Sequence, residues 1–117
     1  MATDNKQNEQ LLSVLQARRD EAQAVFQSVC LRISKTNHVL EQLGHSSEVP
    51  NSEYQALGAD MLWRNWVEQR RTAIMYELAR LHAEREDAAQ TLRRANGRAK
   101  AFGAVLEKQQ SVQQLVR

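Results

Sequence analysis

Between Trp63 and about Leu106 the chain carries an apolar repeat that leaves little freedom in what it can fold into. Steps of four and three residues pick out Val67, Arg71, Ile74, Leu78, Leu81, Arg85, Ala88, Leu92, Ala95, Ala99, Phe102 and Leu106. Ten of these twelve are apolar, and no proline interrupts them. A 3.5-residue period held over so many turns marks a coiled-coil seam rather than the wider stripe of a globular helix. At 1.5 Å per residue the forty-odd residues make a rod of roughly 65 Å. A rod of that length cannot hide its own seam, so another segment must cover it.

A second repeat supplies the cover. Leu12, Leu15, Arg19, Ala22, Phe26, Val29, Ile33, Thr36, Leu40 and Leu43 follow the same alternation, and eight of the ten are apolar. This predicts a first helix over about 9–43, a loop over about 44–53, and a second helix from 54 or 60 to about 115, all in one coiled-coil domain spanning 1–117. Gly44 stands where a helix C-cap favours a left-handed residue, and Ser52 with Gln55 has capping-box spacing. Gly58 and Asp60 offer an alternative start for the second helix. The loop is too short for a parallel return, so the expected fold class is all-α: an antiparallel two-helix coiled-coil hairpin with a longer second helix. The expected register places Leu43 opposite about Asp60, Phe26 near residues 75–79, Leu12 opposite about Thr91 and Met1 opposite about Phe102. In that register the segment from Phe102 onward has no intramolecular cover.

Chemistry is sparse. His38, His45 and His82 are far apart, and with Cys30 they offer no metal-ligand spacing. No phosphate-binding glycine loop or nucleophile motif is present, so neither an enzyme nor a cofactor is expected. One cysteine cannot form an internal disulfide, which favours a reducing compartment and a partly buried, inert thiol. The opening MATDNKQNEQ lacks a signal-peptide apolar run, and no stretch approaches the ~20 apolar residues of a membrane span. A cytoplasmic protein is expected. The net charge of +2 does not argue for nucleic acid.

Three features offer surfaces instead of chemistry. Trp63 and Trp66 lie off the seam near the hairpin tip with Tyr54. They either plug the tip with Tyr54, Leu57, Leu62, Val39 and Leu43 or leave one indole exposed as an anchor, tryptophan being a preferred hot-spot residue. Residues three apart lie about 60° from each other on a helix, so the two tryptophans are expected to differ in exposure. Arg18 and Arg19 are expected near Arg85, Arg93, Arg94 and Arg98, forming either a solvated face or a basic face for an acidic protein surface. Glu84, Glu86 and Asp87 interrupt the arginines and no aromatic lies among them, which disfavours nucleic acid. Last, Phe102, Leu106, Val112, Leu115 and Val116 form an apolar stripe on the uncovered tail, suited to a partner or a second copy.

The pattern as a whole, a helix of LLSVLQARRDEAQAVFQ type, a small loop, a WRNWVEQRR segment and a long ELARLHAEREDAAQTLRRANGRAKAFGAVLEKQQ helix, resembles the flagellar export protein FliJ and its type III secretion relatives, the YscO-like stalk proteins. The Arg64-Asn65-Trp66 segment and the basic Arg98–Lys108 region carry the resemblance best. It implies a two-helix coiled coil in the cytoplasmic part of an export apparatus, at the inner face of the cell membrane. Its implied partners are the export ATPase ring, the export gate protein and substrate chaperones. The tail Phe102–Val116 would enter the ATPase ring, and the tip around Tyr54, Trp63 and Trp66 would face the gate or a chaperone. The rival expectations are a coiled-coil scaffold whose tails pair as a weak homodimer, and a chaperone-like binder of a helical partner.

Overall fold

The computed structural model describes residues 2–46 and 58–116. Both described segments are helical: α1 spans Ala2–Ser46 and α2 spans Ala59–Val116. The chain is all-α, and the second helix is the longer, 58 residues against 45. Segment 47–57, which holds the Ser52–Gln55 cap, Tyr54 and Leu57, lies outside the described residues.

Both helices begin earlier or end later than their seams require. α1 starts at Ala2 rather than near Glu9. Asp4 places a carboxylate in its first turn, where the exposed N–H groups favour negative charge, and Lys6, Gln7, Glu9 and Gln10 are good helix formers. Gly44 lies inside the last turns of α1 instead of ending it, since that helix continues to Ser46. The left-handed glycine is Gly58, at φ 75°, directly before α2. The start expected near Asp60 is used: α2 opens at Ala59, and Asp60 in its first turn pairs with Arg64 at 3.3 Å, while the start expected at 54 lies outside the described residues.

The chain divides into two compact units, each made of one piece of α1 and one of α2. The connector unit is Ser28–Arg85; the terminal unit combines Met1–Gln27 with Glu86–Arg117. In the connector unit Val29, Ile33, Leu43, Val67, Ile74, Leu78 and Leu81 form one buried cluster, with Leu40 packed against it. Every one of these is a seam residue, so the 3.5-residue repeat correctly identified the inward face. Among the described residues of the terminal unit the buried ones are Ala22, Ala88 and Ala99. Leu12, Leu15, Phe26, Leu92, Phe102 and Leu106 are half-buried around them. Arg19 and Arg71 also keep their seam positions half-buried, their stems inside and their guanidinium groups on Asp20 and Glu68. Arg85 is the one expected seam residue that faces solvent.

The helices run antiparallel in each unit, but not in the expected register. In the connector unit Arg32 donates to Glu84 Oε1 at 2.7 Å, and Val39 shares a groove with Arg70, Ala73 and Ile74. In the terminal unit Thr91, expected opposite Leu12, instead lines a groove with Arg18, Ala22 and Val25. Val25 likewise sits beside Ala88, whereas its neighbour Phe26 was expected near residues 75–79. Asn5 and Asn8 lie beside Leu106 and Gln109. The offset is roughly three helical turns. A heptad seam repeats itself, so sliding one helix past the other keeps apolar against apolar, and the period alone does not select among the slides.

Candidate functional site

The corrected register changes the tail first. Because α1 reaches Ala2, its first turns stand against the segment expected to be bare. Asp4, Asn5, Gln7 and Asn8 form a groove of about 720 Å³ with Val105, Lys108, Gln109 and Val112. Phe102 and Leu106 are half-buried seam residues rather than a free stripe. What remains open at the end of α2 is Val112, which is exposed, and Leu115 and Val116, at 86% and 83% exposure. The expected five-residue surface therefore separates into two seam residues and three exposed ones.

Two of the side chains expected in a tip plug, Tyr54 and Leu57, lie outside the described residues. Trp63 and Trp66 stack on each other, ring centroids 5.2 Å apart and planes 23° from parallel. Residues three apart on one helix are close enough for this, and offset stacking contributes beyond the area buried. Their exposures, 43% and 50%, are nearly alike, contrary to the expected difference. Each indole covers one face of the other, so neither is buried and neither is bare. Met61 and Leu62 beside them are exposed, as is Val39, an expected plug partner, while Leu43 belongs to the buried cluster.

The basic residues are sorted by helix angle. Arg94 and Arg98 are four apart and share a face, while Arg93 is turned about 100° away from Arg94. Arg93 sits 3.3 Å from Glu86, and Arg19 from Asp20. Arg18, Arg94 and Arg98 line one groove of about 490 Å³ in the terminal unit, together with Glu21, Ala22, Val25, Ala88, Thr91 and Ala95. The expected basic face is thus built of Arg94 and Arg98 with Arg18, and Arg93 and Arg85 do not line it. Val25 is the residue that a seam reading passes over. It precedes the seam residue Phe26 by one position, as Leu11, Val14 and Val39 precede Leu12, Leu15 and Leu40, and all four are exposed.

Among the described residues the ionisable side chains form surface pairs. Arg80 Nε donates to Glu77 Oε2 at 3.1 Å, and this hydrogen bond holds the Glu77 carboxyl below its ordinary 4.5 while raising the Arg80 guanidinium. Glu84 takes the Arg32 hydrogen bond on Oε1; its Oε2 has Arg80 Nη1 at 3.6 Å, close enough for charge attraction and too far for a hydrogen bond. His38 shares a 3.1 Å hydrogen bond with Gln42 on the solvent face, His82 is exposed, and Cys30 is a half-buried free thiol. Among the described residues no cluster of histidine, cysteine, aspartate or glutamate could hold a metal ion, and no helix is long and apolar enough to cross a membrane. Set beside known proteins, the chain matches no family model, no curated protein and no solved structure.

Proposed function

We propose that this chain is a non-enzymatic, stalk-like coiled coil of a flagellar or type III protein export apparatus, acting in the cytoplasm by binding the export ATPase and assisting export. The observation that carries the reading is the distribution of exposed apolar side chains. A helix pair whose only task was to pair would place its large apolar residues on the seam. Here Val112, Leu115 and Val116 end α2 in water, and Met61, Leu62 and the Trp63–Trp66 stack do the same near its start. Exposed tryptophans and aliphatic residues of this kind suit protein partners. The WRNWVEQRR and AKAFGAVLEKQQ segments that resemble FliJ and the YscO-like proteins lie next to these two patches. On this reading the end of α2 enters the ATPase ring, and the tryptophan patch meets an export gate protein or a substrate chaperone.

Leu115→Ser combined with Val116→Ser tests the assignment. Both residues are exposed, so the helical content and melting temperature are expected to stay unchanged. Stimulation of a type III export ATPase is expected to fall at least tenfold. Full stimulation by the double variant would overturn the role given to the end of α2. A wild-type chain that neither binds nor stimulates that ATPase would overturn the export assignment itself.

A further inference from the structure

The groove between Arg18 on α1 and Arg94 and Arg98 on α2 sets three arginines beside an apolar floor. Six arginines elsewhere sit beside carboxylates: Arg19 with Asp20, Arg32 with Glu84, Arg64 with Asp60, Arg71 with Glu68, Arg80 with Glu77, and Arg93 with Glu86, while Arg70 and Arg85 have no such ion pair and do not line this groove. Arg18, Arg94 and Arg98 have no carboxylate partner among the described residues, although they line one groove together. The three arginines outnumber Glu21, the one carboxylate lining the groove, and the floor beyond them is apolar, with Val25 exposed beside the buried Ala88. We propose that this groove is a docking site for an acidic amphipathic helix of another protein, lying along α1 and α2 as a third strand.

The occupant follows from the lining. Both rims of the groove are helices, so the trough is straight and takes an elongated ligand. A ligand that fits must be apolar along one stripe and anionic at its flanks, which describes an amphipathic helix with carboxylates beside its leucines. Small alanines in the floor leave room for the incoming side chains. In the antiparallel register the three arginines gather toward one end of the groove and Val25 with Ala88 toward the other. The carboxylates that flank the apolar stripe of the docked helix therefore count most toward the end that meets the arginines. A nucleic acid or a flat anionic bilayer fits less well: no aromatic offers stacking, and a planar surface does not reach the floor. The site lies apart from the end of α2, and the inference holds whether or not the chain serves protein export.

The test uses the full chain and three synthetic probes. One is a labelled amphipathic helix of about 20 residues, roughly 30 Å long, with a leucine–alanine stripe flanked by glutamates. The second replaces those glutamates by glutamines, and the third is vesicles rich in phosphatidylglycerol. Fluorescence anisotropy is expected to show the glutamate peptide binding at least tenfold more tightly than the glutamine peptide, with the preference shrinking as salt is raised. The triple variant Arg18→Gln, Arg94→Gln, Arg98→Gln is expected to lose that preference, the triple lysine variant to keep most of it, and Arg93→Gln to keep all of it. Circular dichroism melts of each variant confirm that the helices persist, and Val25→Ala, which trims the floor without touching charge, is expected to weaken binding several-fold. Equal binding of the two peptides, or an unchanged preference in the triple glutamine variant, would overturn the proposal. So would vesicles or a second copy of the chain taking up the groove in place of the peptide.

Discussion

The connector unit and the terminal unit are made from the same two helices and the same repeat, yet they are packed with different material. The connector unit fills its seam with Val29, Ile33, Leu43, Val67, Ile74, Leu78 and Leu81, and two of these, Val29 and Leu81, are only 1% exposed. The terminal unit buries Ala22, Ala88 and Ala99, with its larger side chains half in water. Full burial of a leucine or valine side chain contributes about 1.5–3 kcal/mol, and an alanine methyl far less. Cohesion therefore belongs chiefly to the connector unit. The terminal unit exchanges seam volume for a shallow alanine floor that leaves its surface open. The lesson is that a periodic seam fixes which face turns inward, while the size of the residues on it decides whether that face acts as a core or as the bed of a groove.

The comparison is most easily broken at its strongest point. Leu81→Ala is expected to cost about 2–5 kcal/mol, because the site is enclosed and the cavity has no ready way to collapse. Leu92→Ala, at a half-buried seam position of the terminal unit, is expected to cost about 1 kcal/mol. Guanidinium unfolding midpoints of the two variants decide it, and equal losses would show that the units are equally cohesive. Ala88→Leu probes the alanine floor from the other side. If the helices are drawn close over the small residues, the added volume costs about 1–3 kcal/mol. A stabilised variant would mean that the terminal seam is loose rather than close.

Smaller effects sharpen the picture. A methyl group added at Gly97, on α2 in the terminal unit, meets nothing within 4 Å. Gly97→Ala is therefore expected to stabilise by up to about 1 kcal/mol through backbone entropy alone, read as a raised melting temperature. The smallest effect is in the connector unit. The Arg80 hydrogen bond lowers the Glu77 pKa, so the folded chain holds that carboxylate ionised more readily than the unfolded chain does. The contribution is present above the unfolded value near 4.5 and fades as pH falls through the lower folded midpoint. A carboxyl NMR titration is expected to place the Glu77 midpoint below 4.5, and Arg80→Gln is expected to return it there.

Much of this was legible in the residues, and the parts that were not have definite causes. The inward face was legible because the period assigns it regardless of how the helices slide; only Arg85 among the expected seam residues turned outward. The register was not, since a self-similar seam fits at several offsets, and the one ion pair between the helices among the described residues, Arg32–Glu84, joins two positions off the seam. The start of α1 was missed because residues 2–8 carry no apolar repeat, and a helix without a stripe announces itself only through its propensities and Asp4. The register, more than that miss, produced the expected bare tail, which the first turns of α1 partly cover. The basic surface was half legible: Arg18, Arg94 and Arg98 were among the arginines expected to meet, but separating them from Arg93 takes the angle between neighbours on a helix.

The stacked indoles also decide what light can report about this protein. The chain has two tryptophans, and both belong to one turn of α2 in the connector unit. Its tryptophan emission is therefore a local signal from that turn, with the two rings shielding each other from quenchers. Far-ultraviolet circular dichroism, by contrast, averages over all of α1 and α2. If the terminal unit frays while the connector unit holds, the dichroism falls and the emission does not change. The interval between the two curves on a single sample then measures, without any mutation, how independently the alanine-lined unit comes apart.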